Sequence, residues 1–251
     1  METKCNHDWV EEETQLICSL CGKKKLKRVK VSDELFVSTK SNGMKYTVRR
    51  DRTKYFYPDD WMTFYNNLNN ESNKLIFHFL IGTGARIQEA LHFKKTDLID
   101  DKRHIIRLMV TKKKAKKLVE KEQGKMRSFE IGEGLYKKLK KQPHLYIFLG
   151  IDRELSLTES KKITASKSCG VRFIMNSRLK SAGFDNTLYS LHNIRKTHGM
   201  WLKSLGVPME EICLRLGHDV DTYLSYYGSP SIFDGRDNGK MIPIIGKIYN
   251  L

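Results

Sequence analysis

Residues 190–228 read SLHNIRKTHGMWLKSLGVPMEEICLRLGHDVDTYLSYYG. The stretch holds His192 and Arg195 three positions apart, then Leu216-Gly217-His218, then the adjacent tyrosines Tyr226 and Tyr227. Residues i and i+3 of a helix share a face, so His192 and Arg195 can grip one anion. The plainer alternative is a solvent-facing pair. A tyrosine hydroxyl can attack a phosphodiester and store its bond energy in a phosphotyrosine link. That attack needs positive charge at the non-bridging oxygens, where negative charge accumulates, and an acid for the departing oxygen. The plainer reading of tandem tyrosines is an aromatic pair in the core.

The rest of the chain suits an anionic partner. Of its 251 residues, 46 are Lys or Arg against 29 Asp or Glu, a formal charge of +17. Such an excess usually serves a polyanion, most often nucleic acid. No apolar run approaches the roughly 20 residues that cross a bilayer, so no membrane partner is expected. The start, METKCNHDWVEEETQ, is polar and acidic, unlike a secretory signal. Five cysteines with no export signal argue for a reducing compartment. The expected location is therefore cytoplasmic.

Three segments are expected. Residues 1–25 read as a zinc-ribbon-like module, with Cys5 and His7 before Cys18-x-x-Cys21. Four sulfur and nitrogen donors in two short knuckles match tetrahedral Zn2+, whose binding would supply the folding energy of so small a unit. The alternative is four unrelated side chains in a tail. Residues 26–56 read as a basic arm or linker with strand-like pieces at ELFVS and MKYTV. From residue 57 the texture becomes helical. Pro58 opens one helix, ESNKLIFHFLIG forms a second that ends at Gly82, and ARIQEALHF forms a third after the turn at Gly84. HIIRLMV (104–110) and MRSFEI (126–131) read as a hairpin, GLYKKLKKQ starts another helix, and 170–184 and the stretch from 190 onward are helical. The fold class is mostly α with a small antiparallel β-sheet (α+β). Arg86, behind TGA and opening a helix, is a candidate phosphate ligand; the alternative is an ion pair with Glu89.

The order TGARIQEAL, lysine-bearing hairpin, LHNIR, LGH, tyrosine resembles the catalytic domain of the tyrosine recombinases, the phage-integrase family, over roughly residues 57–230. Each motif is weak alone; four in this order are specific. The resemblance implies catalytic roles for Arg86, His192, Arg195 and His218, with Glu89 in support. It implies a nucleophile nine residues after His218, which is Tyr227, although a TTxxY phrase aligned on Thr222 would select Tyr226. It implies a general-acid lysine in the hairpin, where Lys112 follows the first strand most closely and Lys113, Lys114, Lys116, Lys117 and Lys125 are alternatives. The implied activity is site-specific recombination of double-stranded DNA through a 3′-phosphotyrosyl intermediate, by a homotetramer on paired sites, with no cofactor required for catalysis. An integrase of a virus or mobile element, on the nucleoid of a prokaryotic host, fits that picture.

Two departures stand out. Only about 55 residues precede the catalytic segment, where family members usually carry a helical DNA-binding domain. The tail after Tyr227 is also long, and MIPIIGKIYNL could dock on a neighbouring protomer or on its own domain. Other readings remain open: a type IB topoisomerase-like enzyme on the same site, a non-catalytic DNA-binding protein on the same scaffold, and a zinc-ribbon RNA-binding protein.

Overall fold

The computed structural model describes residues 55–109, 126–221, 223 and 232–249, together with the backbone of five strands between residues 9 and 49. Those strands are β1 (Trp9–Glu11), β2 (Gln15–Cys18), β3 (Lys24–Leu26), β4 (Leu35–Thr39) and β5 (Lys45–Arg49). The first three form one antiparallel sheet and the last two a hairpin pairing Val37 with Thr47. The zinc expectation at Cys5, His7, Cys18 and Cys21, the general acid at Lys112, and Tyr226 and Tyr227 all concern side chains outside the described residues.

Tyr57 and Pro58 open α1 (Pro58–Asn66), with Asp59 and Asp60 at its positive end. Helix α2 (Glu71–Thr83) is capped by Asn70, whose side-chain oxygen accepts the N–H of Ser72 at 2.7 Å. Its Leu75, Ile76, Phe77, Phe79, Leu80 and Ile81 are buried on almost every side, as in a helix through the middle of a core. It runs one residue past the expected end at Gly82, to Thr83, with Gly84 as its left-handed cap. A short α3 (Ile87–Leu91) follows.

The expected hairpin is present as β7 (Ile105–Met109) and β8 (Met126–Glu130), with Leu108 opposite Arg127. A further strand, β6 (Leu98–Asp100), pairs with β7 through an irregular register, so the sheet has three strands. Three residues are too few to show an alternation in sequence.

After α4 (Glu133–Lys140) comes the longest helix, α5 (Leu157–Ser181), which begins well ahead of the expected start at 170. Its opening is a capping box: Ser156 Oγ accepts the Glu159 N–H and Glu159 Oε2 accepts the Ser156 N–H. The stripe it buries begins with Ser160, Thr164 and Ser168 and becomes apolar only at Val171, Met175 and Leu179. Small hydroxyl residues therefore hide the helical period in its first half.

Helices α6 (Leu191–Ser204) and α7 (Met209–Leu216) carry the sequence motifs, and α8 (Gly235–Ile245) closes the domain. No helix among the described residues is long and apolar enough to cross a membrane.

Among the described residues, Tyr55 is the first that is buried. Phe56 is fully buried, its N–H donates to Thr197 Oγ1, and its carbonyl accepts Trp201 Nε1–H, both at 3.0 Å. Of the two placements left open for the tail, packing on its own domain is the one observed. Met241, Ile245 and Ile248 are buried, Phe233 meets Tyr57 edge-on, and the Ile244 carbonyl lies 3.0 Å from His78 Nε2.

Two histidines give the fold a pH dependence. Burial first, then the charge of Arg215, holds His198 well below the usual imidazole range. Burial and then Lys138 lower His78 to about 4. The unfolded chain takes up both protons near pH 6.5, so it binds more protons than the folded chain below that pH. Stability should thus be fully present above the unfolded value and decline as pH falls, at up to about 1.4 kcal/mol per pH unit for each histidine. Urea unfolding at pH 7, 6 and 5 tests this: a declining curve is expected, with a shallower decline in His198→Asn, and a flat wild-type curve contradicts it.

Candidate active site

The TGAR turn joins α2 to α3. Thr83 Oγ1 accepts the Ala85 N–H at 3.1 Å. Gly84 adopts φ 64°, and a Cβ there would lie 2.6 Å from His198 and 2.7 Å from Leu216, so both the conformation and the close packing call for glycine. Its carbonyl accepts Arg195 Nη1–H at 2.6 Å, which ties the turn to α6.

Arg86 stands at the N-cap of α3. Its own N–H is taken by Glu89 Oε2 at 2.8 Å and its guanidinium pairs with Glu89 Oε1 at 2.7 Å. The ion pair anticipated as the plainer alternative therefore exists, yet Arg86 also lines a cleft. A helix of five residues adds little dipole, so an anion here would depend on the guanidinium rather than on the helix end.

That cleft, about 470 Å³, is walled by Arg86, Gln88, Arg172, Leu191, His192 and Arg195. Arg195 is 1% exposed and forms its floor. Its Nη2 donates to the Leu216 carbonyl and, at 3.0 Å, to His218 Nε2. An arginine can only donate, so His218 accepts at Nε2 and carries its proton on Nδ1 as a neutral imidazole. His192 is exposed at the rim, in the first turn of α6. The structure thus brings Arg86, His192, Arg195 and His218 together from positions 132 residues apart (218 − 86). The arrangement can surround a tetrahedral anion with guanidinium and imidazole groups in a partly water-excluded recess.

Glu89 lies behind the cleft, with its side chain fully buried. Burial alone would raise its carboxyl, but Arg127, Arg195 and Arg86 outweigh that and hold it below the ordinary value. Arg127, from β8, reaches Glu89 Oε2 at 2.6 Å and the Leu216 carbonyl at 3.2 Å. Gly217 caps α7 at φ 61°, and a Cβ there would stand 2.8 Å from Arg127 Nη1. The Leu-Gly-His turn therefore packs directly on this arginine.

Beneath it, Arg215 is buried with its positive charge met by dipoles and rings. Its Nε donates to His198 Nε2 at 2.9 Å, its Nη1 to the Glu130 carbonyl and its Nη2 to that of Gly82. Its guanidinium lies 4.4 Å from the centre of the Phe129 ring. His198 in turn donates from Nδ1 to the Ile81 carbonyl at 2.6 Å.

Sequence reasoning missed Arg127, Arg172, His198 and Arg215. A signal existed for Arg127, because strand alternation sets it on the face of Phe129 and Ile131, where a charge demands a buried partner. Tyr223, closest in sequence to the tandem pair among the described tyrosines, is 2% exposed, and burial pushes its hydroxyl up to about 12.

Residues 54–231, well over half of the chain, match the phage integrase family. Among solved structures, the fold resembles a XerA recombinase, with 19% identity and a TM-score of 0.50 over 76% of this chain and 64% of that one. It also resembles a lambda integrase dimer bound to a COC′ core site, with 16% identity and a TM-score of 0.51 over 75% of this chain and 62% of that one. The chain thus spans just under two thirds of each. No curated protein matches it. A family match of this extent settles the kinship that the motif order suggested: the chain belongs to the phage integrase family.

Proposed function

We propose that the protein is a site-specific tyrosine recombinase that cuts and rejoins double-stranded DNA, serving as the integrase of a virus or mobile element. The observation that carries this reading is the cleft that Arg86, His192 and Arg195 share, with His218 joined to it through Arg195 Nη2 at 3.0 Å. The formal charge of +17 supports the choice of substrate, as does the COC′ core site to which the lambda integrase dimer is bound.

In this mechanism the Tyr227 hydroxyl gives its proton to solvent and its oxygen bonds to phosphorus as the bond to the 5′-oxygen breaks. Lys112 gives the departing oxygen its proton. The products are a 3′-phosphotyrosyl link and a free 5′-hydroxyl, and attack by a partner strand's 5′-hydroxyl reverses the step. Arg86 and Arg195 neutralise the non-bridging oxygens, with His192 donating a hydrogen bond to the same phosphate and His218 supporting it through Arg195 Nη2. Two strand exchanges require paired sites, for which a homotetramer is the proposed assembly. The donor set Cys5, His7, Cys18 and Cys21, three sulfurs and one nitrogen, fits a structural Zn2+, which would fold the N-terminal module and take no part in the chemistry.

Three experiments test this reading. Nicked suicide substrates from a random-sequence library should give SDS-resistant complexes, and mass spectrometry should find DNA on Tyr227. DNA on Tyr226 moves the nucleophile by one residue, and tight DNA retention with no adduct supports a binding-only protein. Arg172 is the one rim cation beyond the motif residues among the described residues, and Arg172→Ala should lower the slope of log K against log salt by about one unit. An unchanged slope removes Arg172 from the DNA interface. Metal analysis of the purified chain should find one zinc, lost in a Cys18→Ser/Cys21→Ser double variant; a metal-free, folded chain rejects the zinc module.

A further inference from the structure

Arg127 is not among the residues that wall the cleft. It lies on the strand that packs against the turn before His218, and lines a neighbouring recess with Phe129, Leu214, His218 and Tyr249. It nevertheless holds two groups on which the cleft depends. One is the Glu89 carboxylate, met at 2.6 Å and 3.4 Å; the other is the Leu216 carbonyl, which also accepts Arg195.

The charges around Glu89 show what this does. One buried carboxylate is shared among three arginines: Arg127 at 2.6 Å, Arg86 at 2.7 Å and Arg195 at 3.9 Å. A carboxylate with no exposed surface must be neutralised locally. With Arg127 in place that demand is met from behind, and the two cleft arginines together with Glu89 and Arg127 carry +2. Without Arg127, the same group carries +1, and Glu89 would draw Arg195 inward from 3.9 Å, away from the Gly84 carbonyl and His218. In a recess of low dielectric a single charge weighs heavily.

We infer that Arg127 is a positioning residue: by neutralising Glu89 and bracing the Leu216 carbonyl, it keeps the charge of Arg86 and Arg195 directed at the phosphate. The inference rests on the cleavage reading given above. It makes a particular demand on mutants. If the role is charge compensation, removing the Glu89 charge should repair the loss of Arg127, whereas a purely structural role predicts that the two losses add.

The test uses the full chain with Arg127→Met, Glu89→Gln and the two combined. Single-turnover formation of the covalent adduct, DNA affinity and thermal midpoint are measured for each. Arg127→Met should slow cleavage by about a hundredfold, a magnitude usual for lost transition-state stabilisation, with DNA affinity nearly unchanged. Adding Glu89→Gln should recover at least about a tenfold of that loss. A wild-type cleavage rate in Arg127→Met, or a double variant no faster than Arg127→Met, overturns the inference. If Arg127→Met does not fold, Arg127→Lys is compared with Arg127→Gln: the charged variant should cleave faster, and equal rates overturn the inference. If the wild-type chain forms no adduct, the cleavage reading fails on its own. Titration with inorganic phosphate then decides Arg127 separately, because Arg127→Met should weaken phosphate binding and Glu89→Gln should restore it, and an unchanged affinity overturns the inference.

Discussion

A carboxylate without solvent is costly by several kcal/mol unless it is paired and fully hydrogen-bonded. Glu89 is such a group, and much of the domain's arrangement follows from how it is satisfied. Its two oxygens take the Arg86 N–H and guanidinium, the Arg127 guanidinium and, at longer range, Arg195. These partners come from the start of α3, from β8 and from α6. One acidic side chain therefore requires the sheet and two helices to meet at a point, and that point is the back wall of the cleft.

The same economy governs the other buried charge. Among the described residues Arg215 has no carboxylate at hydrogen-bonding distance, and its charge is spread over the Gly82 and Glu130 carbonyls, the His198 ring and the Phe129 face. Such a charge requires His198 to stay neutral, since an imidazolium could not accept from Arg215. Arg195 and Arg215 flank Leu216 and bind the ends of neighbouring elements through carbonyl oxygens. Carbonyl dipoles hold a guanidinium without cancelling it, so the positive charge of Arg195 remains available to a ligand.

The tail adds a boundary condition. Helix α8 lies on α1, α2 and α6 of its own domain, and Tyr249 lies 5.7 Å from the Arg215 guanidinium. The network beneath the cleft is thus closed on one side by the last described residues of the chain.

Much of this was readable from sequence because it depends on local rules. Pro58, Asn70 and the glycine after Thr83 mark helix ends whatever surrounds them, and the apolar run of β7 reads as a strand. The spacing of His192 and Arg195, and the order of the four motifs, identified the cleft residues without coordinates. The first half of α5 was obscured because its buried face is made of serine and threonine, although Ser156 and Glu159 signalled its start. Tertiary structure alone decided which arginines spend their charge on Glu89, which spend it on carbonyls, and which face the cleft. The physical reason is that a guanidinium's role is set by the acceptors within about 3 Å of it, and here those acceptors come from residues far apart in the chain.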